Sequence, residues 1–367
     1  MFFQWYLFVL LMVVAAFAPA AGQTYTVISC GQREKRYKWG AALVIAIPLI
    51  CLAAARSENI GDTYAYAAGF RNTPTVWAEF MDVYEKTEKD RGFVVFTYFM
   101  KYLFGDDERL YFGVIASVCL MCVVSVYRKH SCNFAMSIFL FIASSDYVQW
   151  NYNGMRQFIA VALIFAATDW LLQKKYVRYY VLILLASTIH ASALIMIPMS
   201  LVVQGKPWNI QTVLITLLAL IAINFSGWMN NMIAALMSDT QYSGEVGQYL
   251  ETEGTNVIRV LVFCIPPLMA LAFRKWLVRA DSKIMNLSTN MSIVSMGVYI
   301  VSAVTSGIFV GRLPIYFSLY NYILLPWLVE HVFSERSRRL VYGCLIVCYL
   351  AFYYYQMHIA WDFSAYT

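Results

Sequence analysis

Apolar runs of roughly 17 to 22 residues recur along the whole chain, and each is long enough as an α-helix to cross about 30 Å of hydrocarbon. In lipid a backbone must satisfy its own N–H and C=O groups, so such runs are read as helices. The pattern predicts an all-α, polytopic membrane helical bundle in which 1–367 is a single transmembrane domain. Three stretches break the rhythm. The run from Phe2 to Ala21 ends in Ala18-Pro19-Ala20 but lacks a basic leader and is followed by Arg33, Lys35, Arg36 and Lys38. That polarity predicts a retained helix with its N-terminus outside. The run Tyr179 to Val203 is 25 residues long and carries Thr188, His190, Ser192 and Pro198. The run Gly92 to Phe104, 13 residues and almost wholly apolar or aromatic, is too short to span and is expected to lie in the interface or re-enter.

Charge orients these helices. If basic loops are cytoplasmic, the inner loops hold Arg33 to Lys38, Arg128 and Lys129, Lys174 to Arg178, Arg274 to Lys283, and Arg336 to Arg339, which is most of the 27 Lys and Arg residues. Parity then requires the run 179–203 to break near His190. A thin hairpin with His190 at its outer tip gives about 12 membrane segments with both termini outside. The outer face then owns two long loops. One covers 56–109, with ten acids and seven bases, and the other covers 228–256, with four acids.

Composition supports this picture. At 61% hydrophobic and 13% charged, with mean hydropathy +0.60, the chain is excluded as a soluble globule. Its 10 Trp and 27 Tyr suit aromatic belts at the two interfaces. The net charge of +6 sits at span ends and no nucleic-acid module is present, so nucleic acid is not an expected partner. Most of the eight cysteines lie inside apolar runs, which argues against a disulfide framework; Cys119-x-x-Cys122 reads as packing.

The candidate chemistry gathers at the outer ends of the runs. The stretch Asp146-Tyr-Val-Gln-Trp-Asn-Tyr-Asn-Gly-Met-Arg156-Gln157 puts a fixed cation, amides and a carboxylate at the entrance of an apolar helix running to about Trp170. A charge beside hydrocarbon costs at least ~2.5 kcal/mol. Arg156 therefore either lines a polar cavity or snorkels to the headgroups. The helix start at Asn153 to Met155 would aim N–H groups and the positive dipole end outward, which suits phosphate. Arg56, Arg156 and Arg312 can converge on a pyrophosphate, because the guanidinium fork matches phosphate oxygens and stays charged. Tyr66, Arg91, Asn153, Gln157 and Tyr316 complete the candidate substrate contacts.

Asp62 and Asp90 are the candidate bases for a sugar hydroxyl, with solvated ion pairs as the alternative for each. Asp62 is favoured as the base, with Asp90 positioning sugar or loop. His190 is a proton carrier, a donor to phosphate, or the hydrogen-bonded tip of its hairpin. Asp106-Asp107-Glu108 reads as a charged turn and not as a metal cluster. There is no Gly-rich phosphate loop, His-Glu-x-x-His or Gly-x-Ser-x-Gly pattern, and no metal or cofactor is expected.

Five motifs in order carry a family likeness: Arg56 with Gly61-Asp62-Thr63-Tyr64-Ala65-Tyr66; Lys89-Asp90-Arg91-Gly92-Phe93; Asn153-Gly154-Met155-Arg156-Gln157-Phe158-Ile159-Ala160; Ala186 to Ala193 around His190; and Gly311-Arg312 with Tyr316. Together they resemble the EpsG-type family of Wzy polysaccharide polymerases over nearly the whole chain. The resemblance implies a GT-C-like bundle in a bacterial plasma (inner) membrane, with its active site facing the periplasm or outside. It implies transfer of a growing glycan from undecaprenyl pyrophosphate to the terminal sugar of an incoming lipid-linked repeat unit. Implied partners are the undecaprenyl-pyrophosphate-linked oligosaccharide, membrane lipid, and a chain-length regulator and flippase of the same pathway.

Three other functions compete. A lipid-linked oligosaccharide flippase would line a path through the bilayer with cations, whereas here they gather on one face. A membrane acyltransferase would rest on His190 alone. A glycan ligase, moving a finished glycan to another acceptor, is the nearest alternative.

Overall fold

A computed structural model describes residues 2–29, 31–224, 254–305, 307 and 309–361. Most of the second outer loop, 228–253, lies outside the described residues. The described chain is helical apart from one β-hairpin, and it divides into two compact units, Met1–Ile197 with Phe333–Thr367, and Pro198–Val332.

The first unit opens with α1 (Phe2–Phe17), the hairpin strands β1 (Thr24–Ser29) and β2 (Gln32–Tyr37), and α2 (Trp39–Ala54). It continues with α3 (Thr63–Arg71), α4 (Trp77–Lys86), α5 (Arg91–Phe104), α6 (Glu108–His130), α7 (Phe134–Ala143), α8 (Asp146–Tyr152) and α9 (Met155–Ala166). Next come α10 (Thr168–Leu172), α11 (Tyr176–Ile189) and a 3-10 turn at Ala191–Ile195. Helix α12 (Met196–Val202) crosses into the second unit, which holds α13 (Ile210–Asn224), α14 (Val257–Ala272), α15 (Arg274–Ala280) and α16 (Lys283–Ala303). A 3-10 turn at Val310–Arg312, α17 (Ile315–Ser318) and α18 (Asn321–Val332) complete it, and α19 (Glu335–Tyr354) returns to the first unit.

In the first unit α6 is the central post. Its positions Ile115, Ala116, Cys119, Leu120, Val123 and Val124 are buried, at the spacing that forms a broad apolar face, and the helix packs on both α2 and α9. Helix α9 in turn packs on α11, and α11 on α5. In the second unit α16 occupies the centre, packed on α13, α14 and α18. Its Asn290 receives Trp208 N–H at 3.2 Å and donates to the Val203 carbonyl at 3.0 Å, tying the turn before α13 to the middle of the helix.

Several expectations change in detail. The basic segment at 33–38, expected as a plain inner loop, forms β2. Strand alternation exposes Arg33 and Lys35 while burying Glu34 and Arg36, which pair with each other. The segment 56–109, expected as an outer loop with an interfacial or re-entrant helix, holds three helices, α3 to α5, before α6 begins. The short aromatic segment is α5; it buries Phe93, Thr97, Tyr98 and Lys101 and exposes Phe99, Tyr102 and Leu103. That two-sided apolar character fits a helix lying along an interface.

Asp146 to Tyr152, expected as a loop leading into a helix, is itself helical. The break comes at Asn153, which is extended, and Gly154, whose φ of +79° suits a residue without a side chain. A second break falls at His190, as expected: α11 ends at Ile189, His190 is extended, and the 3-10 turn follows. Among the described residues Glu108–His130, Lys283–Ala303 and Glu335–Ala360 are long and apolar enough to cross a membrane. Val257–Ala272 with Arg274–Ala280, bent by 70°, reaches that length only when the two are taken together, and seven apolar helices are shorter. Helix length alone therefore does not deliver the count of twelve, because Gly, Pro and left-handed residues cut the apolar runs into pieces shorter than a bilayer.

Candidate active site

Gly61 starts the site. Its φ is +57°, and a Cβ there would stand 2.6 Å from the Tyr152 carbonyl oxygen, so only glycine lets the chain close on the end of α8. The contact is a two-bond clasp. Asp62 N–H donates to Tyr152 O at 3.2 Å, and Gly154 N–H donates to Asp62 Oδ2 at 3.3 Å. Asp62 thus supplies a carboxylate to the N-terminal end of α9, where the helix dipole favours negative charge. At least one N–H expected to face a phosphate is already taken by this carboxylate.

Arg156 sits in the first turn of α9. Its Nη1 lies 3.0 Å from Asp90 Oδ2, its Nε donates to Tyr66 OH at 3.3 Å, and the guanidinium stands 5.7 Å and 5.8 Å from the ring centroids of Tyr66 and Phe93. The Arg156 side chain keeps 41% of its surface open. Asp90 precedes α5 with φ +55°, and Gly92 two residues later packs on Thr188 near the end of α11. This contact fixes the start of α5 and so carries Asp90 to Arg156.

Beside them opens a cavity of about 380 Å³, walled by α3, α4, α5 and α6. Asp62 and Arg156 form part of its wall, and Tyr66, Phe70, Phe93 and Tyr111 give it an aromatic lining. The structure thus brings together Asp62 and Tyr66 at the start of α3, Asp90 before α5 and Arg156 of α9, from three separate segments. Phe70 and Tyr111, stacked with centroids 4.3 Å apart, were not singled out in the sequence, because isolated aromatics in apolar segments carry no distinguishing signal there.

Other candidates take other places. Arg56 is not on the cavity wall; it is clamped between the rings of Phe112 at 4.6 Å and Tyr152 at 4.7 Å and donates to the carbonyls of Ala53 and Asn151. Burial pushes its pKa down from the usual arginine range. Its geometry is that of a tie between α2, α6 and α8. Arg91 is exposed, stacks 5.3 Å from the Tyr84 ring and donates to Thr87 O at 2.8 Å, joining α5 to the end of α4. Gln157 is buried in α9, and Asn153 is half-buried beside Asp62.

His190 Nδ1 lies 2.7 Å from Ser192 Oγ and accepts the Ser192 N–H at 3.4 Å, so this nitrogen caps the 3-10 turn. Arg312, in its 3-10 turn, and the buried Tyr316, in α17, belong to the second unit.

The acidic run 106–108 is divided among separate partners. Asp106 pairs with Lys101, Asp107 caps α6 through Leu110 N–H at 3.1 Å, and Glu108 meets Arg71 at 2.7 Å. Arg71 also pairs with Glu58 at 2.8 Å, and this hydrogen bond lowers the Glu58 pKa. No cluster of metal-ligating side chains is present among the described residues.

Residues 41–367 match the EpsG family, whose members are Wzy-like polymerases. The chain belongs to the EpsG family. Comparison with curated proteins and with solved structures gives no match. In this EpsG chain the matched region holds every residue of the clasp, the Arg156–Asp90 pair and the cavity.

Proposed function

We propose that this EpsG-family chain polymerises lipid-linked saccharide repeat units at the outer face of the bacterial plasma membrane. The growing glycan leaves undecaprenyl pyrophosphate and joins a hydroxyl of the incoming unit's terminal sugar. The observation that carries this reading is a partly open arginine and a carboxylate sharing one wall of an aromatic cavity.

In the transfer, the bond between the donor's anomeric carbon and the pyrophosphate oxygen breaks, and a bond forms from that carbon to the acceptor oxygen. Pyrophosphate departs with the electron pair. Arg156 is the group suited to neutralise it, since electrostatic stabilisation of a leaving group is worth most in a water-poor site. The acceptor proton passes to Asp62, whose Oδ2 caps α9 while the carboxylate still lines the cavity. Asp90 and Tyr66 hold Arg156 in place, and phosphate oxygens would compete with the Asp90 carboxylate for it. The aromatic part of the cavity suits an isoprenoid or sugar ring.

Purified protein in nanodiscs, supplied with lipid-linked repeat units, should yield a ladder of chain lengths. Arg156→Lys keeps the charge but loses the bidentate fork, and should abolish most of the ladder at normal expression. A wild-type ladder from Arg156→Ala would overturn the proposal.

A further inference from the structure

A second open cavity of the first unit is lined entirely by one short stretch, Lys174 to Arg178, at the start of α11. It holds about 310 Å³, at the lower end of the ~300–1,000 Å³ usual for ligand pockets. Three of its five lining residues are cationic and none is acidic. Lys174, Lys175 and Arg178 are exposed, and none of them meets a carboxylate among the described residues. Asp169, the nearest acid in sequence, is taken by Lys129 and His130. The first turn of α11 carries no acid, so the positive end of the helix dipole adds to the repulsion among the three cations. An anion in the cavity relieves both.

What runs along the helix decides the kind of anion. Val177, Val181 and Leu184 recur at the spacing of one helical face, with Leu185 beside them, and all four are more than half exposed. In a membrane bundle such a stripe lies against lipid tails. Tyr176 and Tyr180, with rings stacked 6.1 Å apart at the start of α11, are the aromatic residues favoured at headgroup level. Val177 belongs both to the cavity wall and to the top of the stripe. A soluble phosphate would meet the cations and leave the stripe unused, and a zwitterionic phospholipid would bring a further cation to the cavity. An anionic phospholipid fits both parts.

We propose that Lys174, Lys175 and Arg178 form a headgroup site for an anionic phospholipid whose acyl chain lies along Val177, Val181 and Leu184. The site does not depend on the polymerase reaction.

Native mass spectrometry of the full-length protein counts bound lipids one at a time. The probes are phosphatidylglycerol and phosphatidylcholine with the same acyl chains. The first phosphatidylglycerol should bind at least about tenfold more tightly than phosphatidylcholine. Lys175→Gln and Arg178→Gln should each weaken it roughly fivefold, the effect of one basic residue at an anionic headgroup. The triple variant K174N/K175Q/R178Q should erase the preference; Asn tolerates the left-handed backbone at 174, where φ is +58°. The control R33Q/K35Q/K38Q removes three exposed charges elsewhere in the same unit and should leave the preference intact. Inorganic phosphate and glycerophosphoglycerol, which lack the tail, should not displace phosphatidylglycerol at equal concentration.

The proposal is overturned if the two lipids bind alike, or if the control variant loses as much as the site variant, which would mean diffuse surface charge. It is also overturned if either soluble phosphate displaces the lipid, since the cavity would then serve a soluble anion. Should the triple variant fail to fold, the two single variants decide: wild-type preference in both sinks the site.

Discussion

Replacing Asp62 by Asn separates the two tasks that the structure gives this residue. The first is mechanical: Oδ2 accepts Gly154 N–H at 3.3 Å and caps α9. A carboxamide oxygen can accept the same bond, so the clasp survives. Only the interaction between the carboxylate charge and the helix dipole is lost, about 0.3–1 kcal/mol. The second task is to take the acceptor's proton, which a carboxamide cannot do. Loss of a general base lowers the rate ~10²–10⁴-fold, or about 2.7–5.4 kcal/mol of barrier.

Single-turnover elongation on lipid-linked repeat units should therefore fall by at least ~100-fold, while Tm and lipid-substrate affinity stay close to wild type. Asp90→Asn removes the partner of Arg156 and not the base, so it should weaken substrate binding more than it slows the chemical step. Wild-type elongation by Asp62→Asn refutes the assignment. If Asp90→Asn is then inactive at normal affinity, the base is Asp90. If both variants elongate normally, the carboxylates only tie down the loop.

Gly61→Ala forces a left-handed residue with a side chain and drives its Cβ into the Tyr152 carbonyl; a loss of roughly 2–3 kcal/mol is expected, checked by thermal unfolding, with elongation falling in parallel as Asp62 is displaced. A hairpin at His190 puts residue 206 on the cytoplasmic side, so cysteine at the exposed Lys206, in a cysteine-free background, should resist impermeant maleimide in intact cells and react after permeabilisation; ready labelling from outside would refute the hairpin. Asp169 is held down at about 2 by His130 and then Lys129. A depressed carboxyl stabilises above its unfolded value, near 3.8, and loses that contribution as pH falls through about 2, so Asp169→Asn should cost about 1 kcal/mol at pH 7 and remove the acid-side slope of Tm between those values.

The sequence by itself determined the chain's class and where its charged and amide side chains interrupt the apolar runs. Long apolar runs admit only helices in lipid. An arginine, amides and carboxylates at the ends of such runs are too costly to be incidental, and this made Asp62, Asp90 and Arg156 legible before any coordinates. The break at His190 was legible too, because three polar residues and a nearby proline interrupt an overlong run.

What the tertiary structure decided is which of these groups meet. Arg56 and Arg156 look alike in sequence, both at the ends of apolar runs. Packing clamps the first between Phe112 and Tyr152 and leaves the second open beside Asp62. Asp90 reaches Arg156 across 66 positions of sequence because Gly92 lets α5 close on Thr188, a contact no local pattern encodes. The hairpin at 24–37 and the left-handed turn at Ser145 were hidden for the same reason, whereas the helix start after Gly154 was legible. Hydropathy reports how much apolar surface a segment must bury, while left-handed residues and close backbone approaches decide where the chain turns to bury it.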